Sequence, residues 1–114
     1  NRRREIAKMY QEGIVNSKIK LQHKPEWADG IYHLMVITTD EKDGLVKHLS
    51  DHNISAAFHY PVPCHLQKAY SHLGYKVGDF PNSEYLAAHC ISLPMYAELS
   101  NQEVEHVITT LNKF

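Results

Sequence analysis

Long apolar runs are missing from this sequence. No stretch approaches the ~20 consecutive apolar residues of a membrane-spanning helix, and the opening Asn1-Arg2-Arg3-Arg4 leads into a helical pattern rather than a signal peptide. Cysteine is scarce. Cys64 and Cys90 are too few for a disulfide framework, so the expected setting is a reducing cytoplasm. Charge of one sign is not in excess either. A formal net charge of −1 gives no reason to expect nucleic acid or an anionic membrane as partner. Glycine is sparse and dispersed, and neither GxxxxGK[ST] nor GxGxxG occurs. Those two phosphate-cradling devices are thereby excluded. No segment repeats.

What remains is an ordinary globular composition. The 114 residues suffice for one domain with a modest core. Hydrophobic residues at 43% and charged residues at 22% describe a folded chain, not a disordered one. Asn1 rather than Met opens the chain, as expected for a piece of a longer protein. The nine histidines stand out; they would make the chain strongly positive below pH ~6. Most of them share no pattern and read as surface imidazoles.

Helix and strand signals are mixed. Ile6, Met9 and Tyr10 form one apolar stripe on a helix over residues 2–12, with Gly13 as its stop. Residues 16–30 are polar, contain Pro25 and read as loop. Residues 31–37 (IYHLMVI) predict a buried strand. Asp40 predicts the cap of a helix over 41–52, with Leu45, Val46 and Leu49 facing inward and Asn53 as a left-handed terminator. Residues 54–59 predict a second strand. Tyr60-Pro61-Val62-Pro63 must be extended, and a helical turn follows at 66–71, with Gly74 and Gly78 as breaks.

A helix over 83–89 puts Leu86 and Cys90 on one face, and residues 91–93 make a third short strand. The last helix is the clearest. Ser100 and Glu103 spell a capping box, Leu99 can staple to Val104, and Val107, Ile108 and Leu111 complete the stripe to about Asn112. The expectation is an α+β fold, a small sheet of about three strands with helices covering one face. Three short strands make a thin core, so the first helix is expected to pack largely on something outside this chain.

Several constellations could carry chemistry. His48 and His52 share a helix face, but Leu49 occupies the position where a zinc protease helix has Glu. His59, Cys64, His65 and Cys90 match no zinc knuckle or ribbon spacing. Cys64 beside His65 could be an activated thiol, although sequence neighbours rarely form a catalytic pair. Arg2-Arg3-Arg4 opposes the helix dipole, which points to a solvated face or a contact with a neighbouring domain. The densest polar stretch is residues 59–67. There His59 can donate to an anionic oxygen, Tyr60 offers a hydroxyl, and His65 and Gln67 add two polar heads on a loop stiffened by Pro61 and Pro63. A ligand-binding loop and a structural loop whose polar groups cap local backbone fit these residues equally well.

The stretch His59-Tyr60-Pro61-Val62-Pro63-Cys64-His65-Leu66-Gln67-Lys68-Ala69-Tyr70 resembles the HYPxPxHLQxAY signature of the DegT–DnrJ–StrS sugar aminotransferases. Leu73-Gly74-Tyr75, Gly78-Asp79-Phe80-Pro81, Ser83-Glu84 and Ile91-Ser92-Leu93-Pro94-Met95-Tyr96 follow at family-like spacing. Upstream, Arg4-Glu5-Ile6-Ala7 and Ile31-Tyr32-His33-Leu34 also match. Asn53 departs from the family's usual Gly, but Asn tolerates the same left-handed backbone.

The resemblance implies the C-terminal small domain of a type I pyridoxal-phosphate (PLP) aminotransferase fold. Residues 1–30 would be a connecting helix and linker, and residues 31–114 the domain proper. It implies that PLP sits on a lysine of a large domain absent from this chain, so no cofactor-binding or catalytic residue is expected here, and no metal. The intact enzyme would move an amino group, from glutamate, to a keto-sugar nucleotide in deoxyamino-sugar or cell-surface polysaccharide synthesis. It would act as a homodimer. His59 and Tyr60 would reach the nucleotide sugar, with His65 and Gln67 as further contacts. The alternatives are a PLP- or PMP-dependent sugar dehydratase of the same family, and a stand-alone histidine-rich binding module.

Overall fold

The first helix, α1 (Arg2–Gly13), turns Ile6, Ala7 and Tyr10 inward, all three fully buried. This computed structural model describes all residues, 1–114. Gly13 is the last helical residue, and the following Ile14 is extended. Its lack of a side chain serves packing: a Cβ there would lie 2.9 Å from the Ile108 side chain. The chain then makes a two-residue strand, β1 (Lys20–Leu21), inside what the sequence reads as loop. The next strand, β2 (Met35–Thr38), is shorter than the apolar run that predicts it.

Ile31 stays exposed and Tyr32 is left-handed at φ 53°. The carbonyls of Tyr32 and His33 accept from the Arg3 guanidinium instead of from a neighbouring strand. After Thr39, whose hydroxyl accepts from the Glu41 N–H, comes α2 (Lys42–Asp51). Asp40 makes no cap there. Leu45 and Leu49 are fully buried, Val46 is half-buried, and Asn53 terminates the helix at φ 60°, as expected.

The third helix, α3 (Pro81–His89), runs directly into β3 (Cys90–Leu93), and α4 (Asn101–Asn112) closes the fold. The capping box is present: the Ser100 hydroxyl accepts from the Glu103 N–H, and Glu103 accepts from the Ser100 N–H at 2.8 Å. The sheet is antiparallel in the order β1-β2-β3, with Ile37 opposite Ile91 and Met35 opposite Leu93. The segment expected as a strand over 54–59 pairs only through Ala57, which exchanges two backbone bonds with Ser92. Pro61 has no N–H to continue that ladder.

The fold is thus α+β, three strands with α1, α2 and α4 over one face. Alternation sorts the sheet: Met35, Ile37, Ile91 and Leu93 enter the core, while Val36, Thr38, Cys90 and Ser92 face the reverse side. Each large side chain so buried contributes about 1.5–3 kcal/mol. The stripe of α1 packs inside this same core, not on something beyond it. Tyr10 donates to the Pro94 carbonyl at 3.0 Å, and its burial, with Tyr96 nearby, pushes the phenol well above its ordinary range.

The three arginines are not merely solvated. Arg2 donates to the Leu99 carbonyl, Arg3 to those of Tyr32, His33 and Met95, and Arg4 to that of Gly30 while pairing with Asp29. They fasten α1 to the loops around it.

Candidate functional site

The site loop hangs between two fixed points. Ile54 is buried in the core, and the Ala57–Ser92 bridge pins the chain to the edge of β3. From Phe58 the backbone leaves the sheet. Pro63 is extended at φ −63°, ψ 148°, and short 3₁₀ turns follow at Cys64–Leu66 and Lys68–Leu73. Gly74 and Gly78 take left-handed angles of 76° and 97°, where a side chain would be strained. Pro81, in the first turn of α3, then sends the chain back to the sheet.

His59, Tyr60, His65 and Gln67 all line one cleft of 430 Å³, with Phe80, Leu86 and Cys90 among its apolar walls. His59 Nδ1 lies 2.9 Å from the Ser92 hydroxyl. With that hydroxyl donating, the ring proton sits on Nε2, which has no protein partner and is not sealed from solvent. Tyr60 is 71% exposed, and its hydroxyl is free. The peptide bond joining these two residues is cis. Gln67 donates to the Val62 carbonyl at 3.4 Å, bracing the loop across its own turn.

His65 is differently occupied: its Nε2–H donates to Glu84 Oε1 at 3.0 Å, and only 8% of its side chain is exposed. A second cavity of 460 Å³ on the reverse face of the sheet, bordered by Lys20, Val36 and Thr38, shares His59, Leu86 and Cys90 with the first.

Glu84 is the residue that reading the sequence missed. It accepts from the Gly78 and Phe80 N–H groups as well as from His65. The Gly78 amide, and then the His65 and Phe80 donors, hold its carboxyl below the ordinary 4.5. The available signal was a first-turn acid just after Gly78 and Pro81.

The other constellations serve the framework. His48 Nε2 meets the Thr110 carbonyl at 2.9 Å, and His106 Nε2 meets that of His52 at 3.0 Å, bolting α2 to α4. Cys64 is exposed on the cleft wall, Cys90 is buried, and His65 turns its ring nitrogen to Glu84. No three His, Cys, Asp or Glu side chains gather where they could hold a metal ion.

Residues 1–112 match the DegT/DnrJ/EryC1/StrS aminotransferase family. This chain belongs to that family. It is 37% identical over 113 residues to the dTDP-3-amino-3,6-dideoxy-alpha-D-galactopyranose transaminase of Aneurinibacillus thermoaerophilus, covering 99% of this chain and 31% of that protein. It is 40% identical over 111 residues to the erythromycin biosynthesis sensory transduction protein EryC1 of Saccharopolyspora erythraea, covering 96% and 30%. Among solved structures, that of S. venezuelae DesV in complex with a ketimine intermediate superposes with a TM-score of 0.94 at 31% identity, over 98% of this chain and 30% of that one. The chain therefore spans about 30% of the length of the relatives it matches.

The family implies PLP, and one solved neighbour is the PLP form of the putative sugar aminotransferase Spr1654 from Streptococcus pneumoniae. The residues here do not make a site for that cofactor. No lysine lines the 430 Å³ cleft, and the acid beside it, Glu84, is committed to Gly78, Phe80 and His65.

Proposed function

We propose that this chain is the C-terminal small domain of a PLP-dependent sugar aminotransferase, and that its cleft receives the keto-sugar nucleotide. The observation that carries the reading is the gathering of His59, Tyr60, His65 and Gln67 on one cleft in a chain of this family. The dTDP-sugar transaminase name of the Aneurinibacillus relative supports a nucleotide-diphosphate sugar as substrate. A diphosphate presents only acceptor oxygens, and the unpartnered His59 Nε2–H suits them. A sugar hydroxyl both donates and accepts, as does the free Tyr60 hydroxyl. The adjoining 460 Å³ cavity offers room for a substrate longer than one sugar.

Amino-group transfer needs the electron sink that PLP supplies. In this reading PLP is held by parts of the parent protein outside these residues. Glutamate is the amino donor, two copies form the working enzyme, and the setting is the cytoplasm, in synthesis of a deoxyamino sugar or a surface polysaccharide. No helix of the chain is long and apolar enough to cross a membrane.

The test is Tyr60→Phe in the intact parent enzyme. Loss of one ligand hydrogen bond should lower kcat/KM for the keto-sugar nucleotide by roughly 1–2 kcal/mol and leave the amino-donor half-reaction alone. A defect confined to the donor half-reaction would put the cleft at the wrong substrate.

A further inference from the structure

Residues 58–89 have almost no core of their own: Ala87 is the one buried residue among them. Their shape must therefore come from hydrogen bonds, and one carboxylate accepts several of the most important. Glu84 Oε1 accepts from the Gly78 N–H at 2.8 Å, from the Phe80 N–H at 3.4 Å and from His65 Nε2–H at 3.0 Å, while Oε2 shares the Gly78 donor at 3.1 Å. These bonds join the turn at Gly78, the start of α3 and the site loop. The aromatic rings of the segment follow the same anchor, with His65 centred 4.8 Å from Phe80, and Phe80 5.1 Å from Tyr75. His65 and Phe80 line the cleft, but Glu84 does not.

We infer that Glu84 is a positioning residue for the substrate cleft, acting through His65 to fix the part of the wall that His65 forms with Phe80. The inference rests on the reading of the cleft as the keto-sugar site. An ionised carboxylate can only accept, so His65 must present Nε2–H to it. That fixes the ring and, in the neutral imidazole, leaves Nδ1 as an acceptor. Nδ1 has no protein partner and is not sealed from solvent, so it is available to a sugar hydroxyl. The low proton affinity of Glu84 keeps it ionised at neutral pH. Glutamine has one acceptor oxygen: placed at Oε1 it sets its amide N–H against the Gly78 N–H, and placed at Oε2 it sets that N–H against both Phe80 and His65, so no orientation keeps every bond.

Glu84→Gln in the intact holoenzyme therefore loosens the anchor at constant bulk, and a His65→Ala background separates the route through His65. We expect KM for the keto-sugar nucleotide to rise about fivefold, with kcat and the amino-donor half-reaction nearly unchanged. In a His65→Ala background the same substitution should add nothing, because its effect travels through the ring. Alkylation of Cys64, next to His65 in the cleft, should quicken about threefold as the local turn loosens, whether or not the enzyme accepts a sugar. An unchanged KM, equal losses in both half-reactions, or a full additional penalty in the His65→Ala background would overturn the inference. A holoenzyme that ignores keto-sugar nucleotides would instead sink the functional reading, and the Cys64 rate alone would then decide the role of Glu84: quickened supports it, unchanged overturns it.

Discussion

The two parts of this molecule are held together by different physics. Residues 1–57 and 90–114 contain every fully buried large side chain, gathered where α1, α2 and α4 meet the sheet. Residues 58–89 bury only Ala87, yet they carry ten of the fourteen large hydrophobic side chains that remain exposed, from Phe58 to Leu86. Apolar burial stabilises the first part, whereas prolines, 3₁₀ turns and the Glu84 hydrogen bonds shape the second. A segment this apolar and this open marks a surface that other structure covers. The first part is a scaffold with its own core. The second is a wall that this chain leaves uncovered.

The sharpest way to break that comparison is to remove the same side chain from each part. Leu49→Ala empties a fully buried site and should destabilise the chain by about 2–5 kcal/mol. Leu73→Ala, at a position 54% exposed, should change stability by under about 0.5 kcal/mol. Urea denaturation of the two variants checks this, and equal losses would mean that residues 58–89, the arm of the molecule, have a core of their own. A smaller effect is expected at the start of α4. Ser100→Ala removes the hydroxyl that accepts from Glu103 N–H and should cost about 1 kcal/mol. An unchanged thermal midpoint would show that the cap contributes nothing to the scaffold.

The smallest effect sharpens the arm. Glu84 accepts its backbone bonds as an anion, so its proton affinity is lower folded than unfolded. The stabilisation is full above the unfolded value near 4.5 and is lost as pH falls through the lower folded value. Protection of the Gly78 amide from hydrogen exchange, relative to its intrinsic rate, should fall in that acid window before that of amides in the sheet does. Sheet and arm opening together would erase the distinction.

How much of this could be read beforehand follows the same division. The capping box and stripe of α4, the left-handed Asn53 and the burial of Leu45 and Leu49 were legible because each rests on residues a few positions apart. The two-residue β1 was not, since it exists only through pairing with β2. Residues 31–34 have strand composition, but Arg3 takes two of their carbonyls from a helix far away in sequence. The helix pattern puts Leu86 and Cys90 on one face, and both line the cleft, but Leu86 is 51% exposed and Ala87 is the buried residue of α3. In the arm, hydrophobicity reports a surface that this chain does not cover. The gathering of His59, Tyr60, His65 and Gln67 was legible because they sit on one proline-stiffened loop. Glu84 was not, because its tie to His65 spans 19 residues.

The central claim is that this chain serves a PLP enzyme whose cofactor lies outside it. The direct measurement is on the natural gene product: add PLP, reduce with borohydride, and map the modified peptide by mass spectrometry. The account predicts one lysine carrying the reduced cofactor, and none of the nine lysines of these 114 residues. A label within this chain would contradict the account. A large product with no labelled lysine would contradict aminotransfer and point to the dehydratase branch of the family.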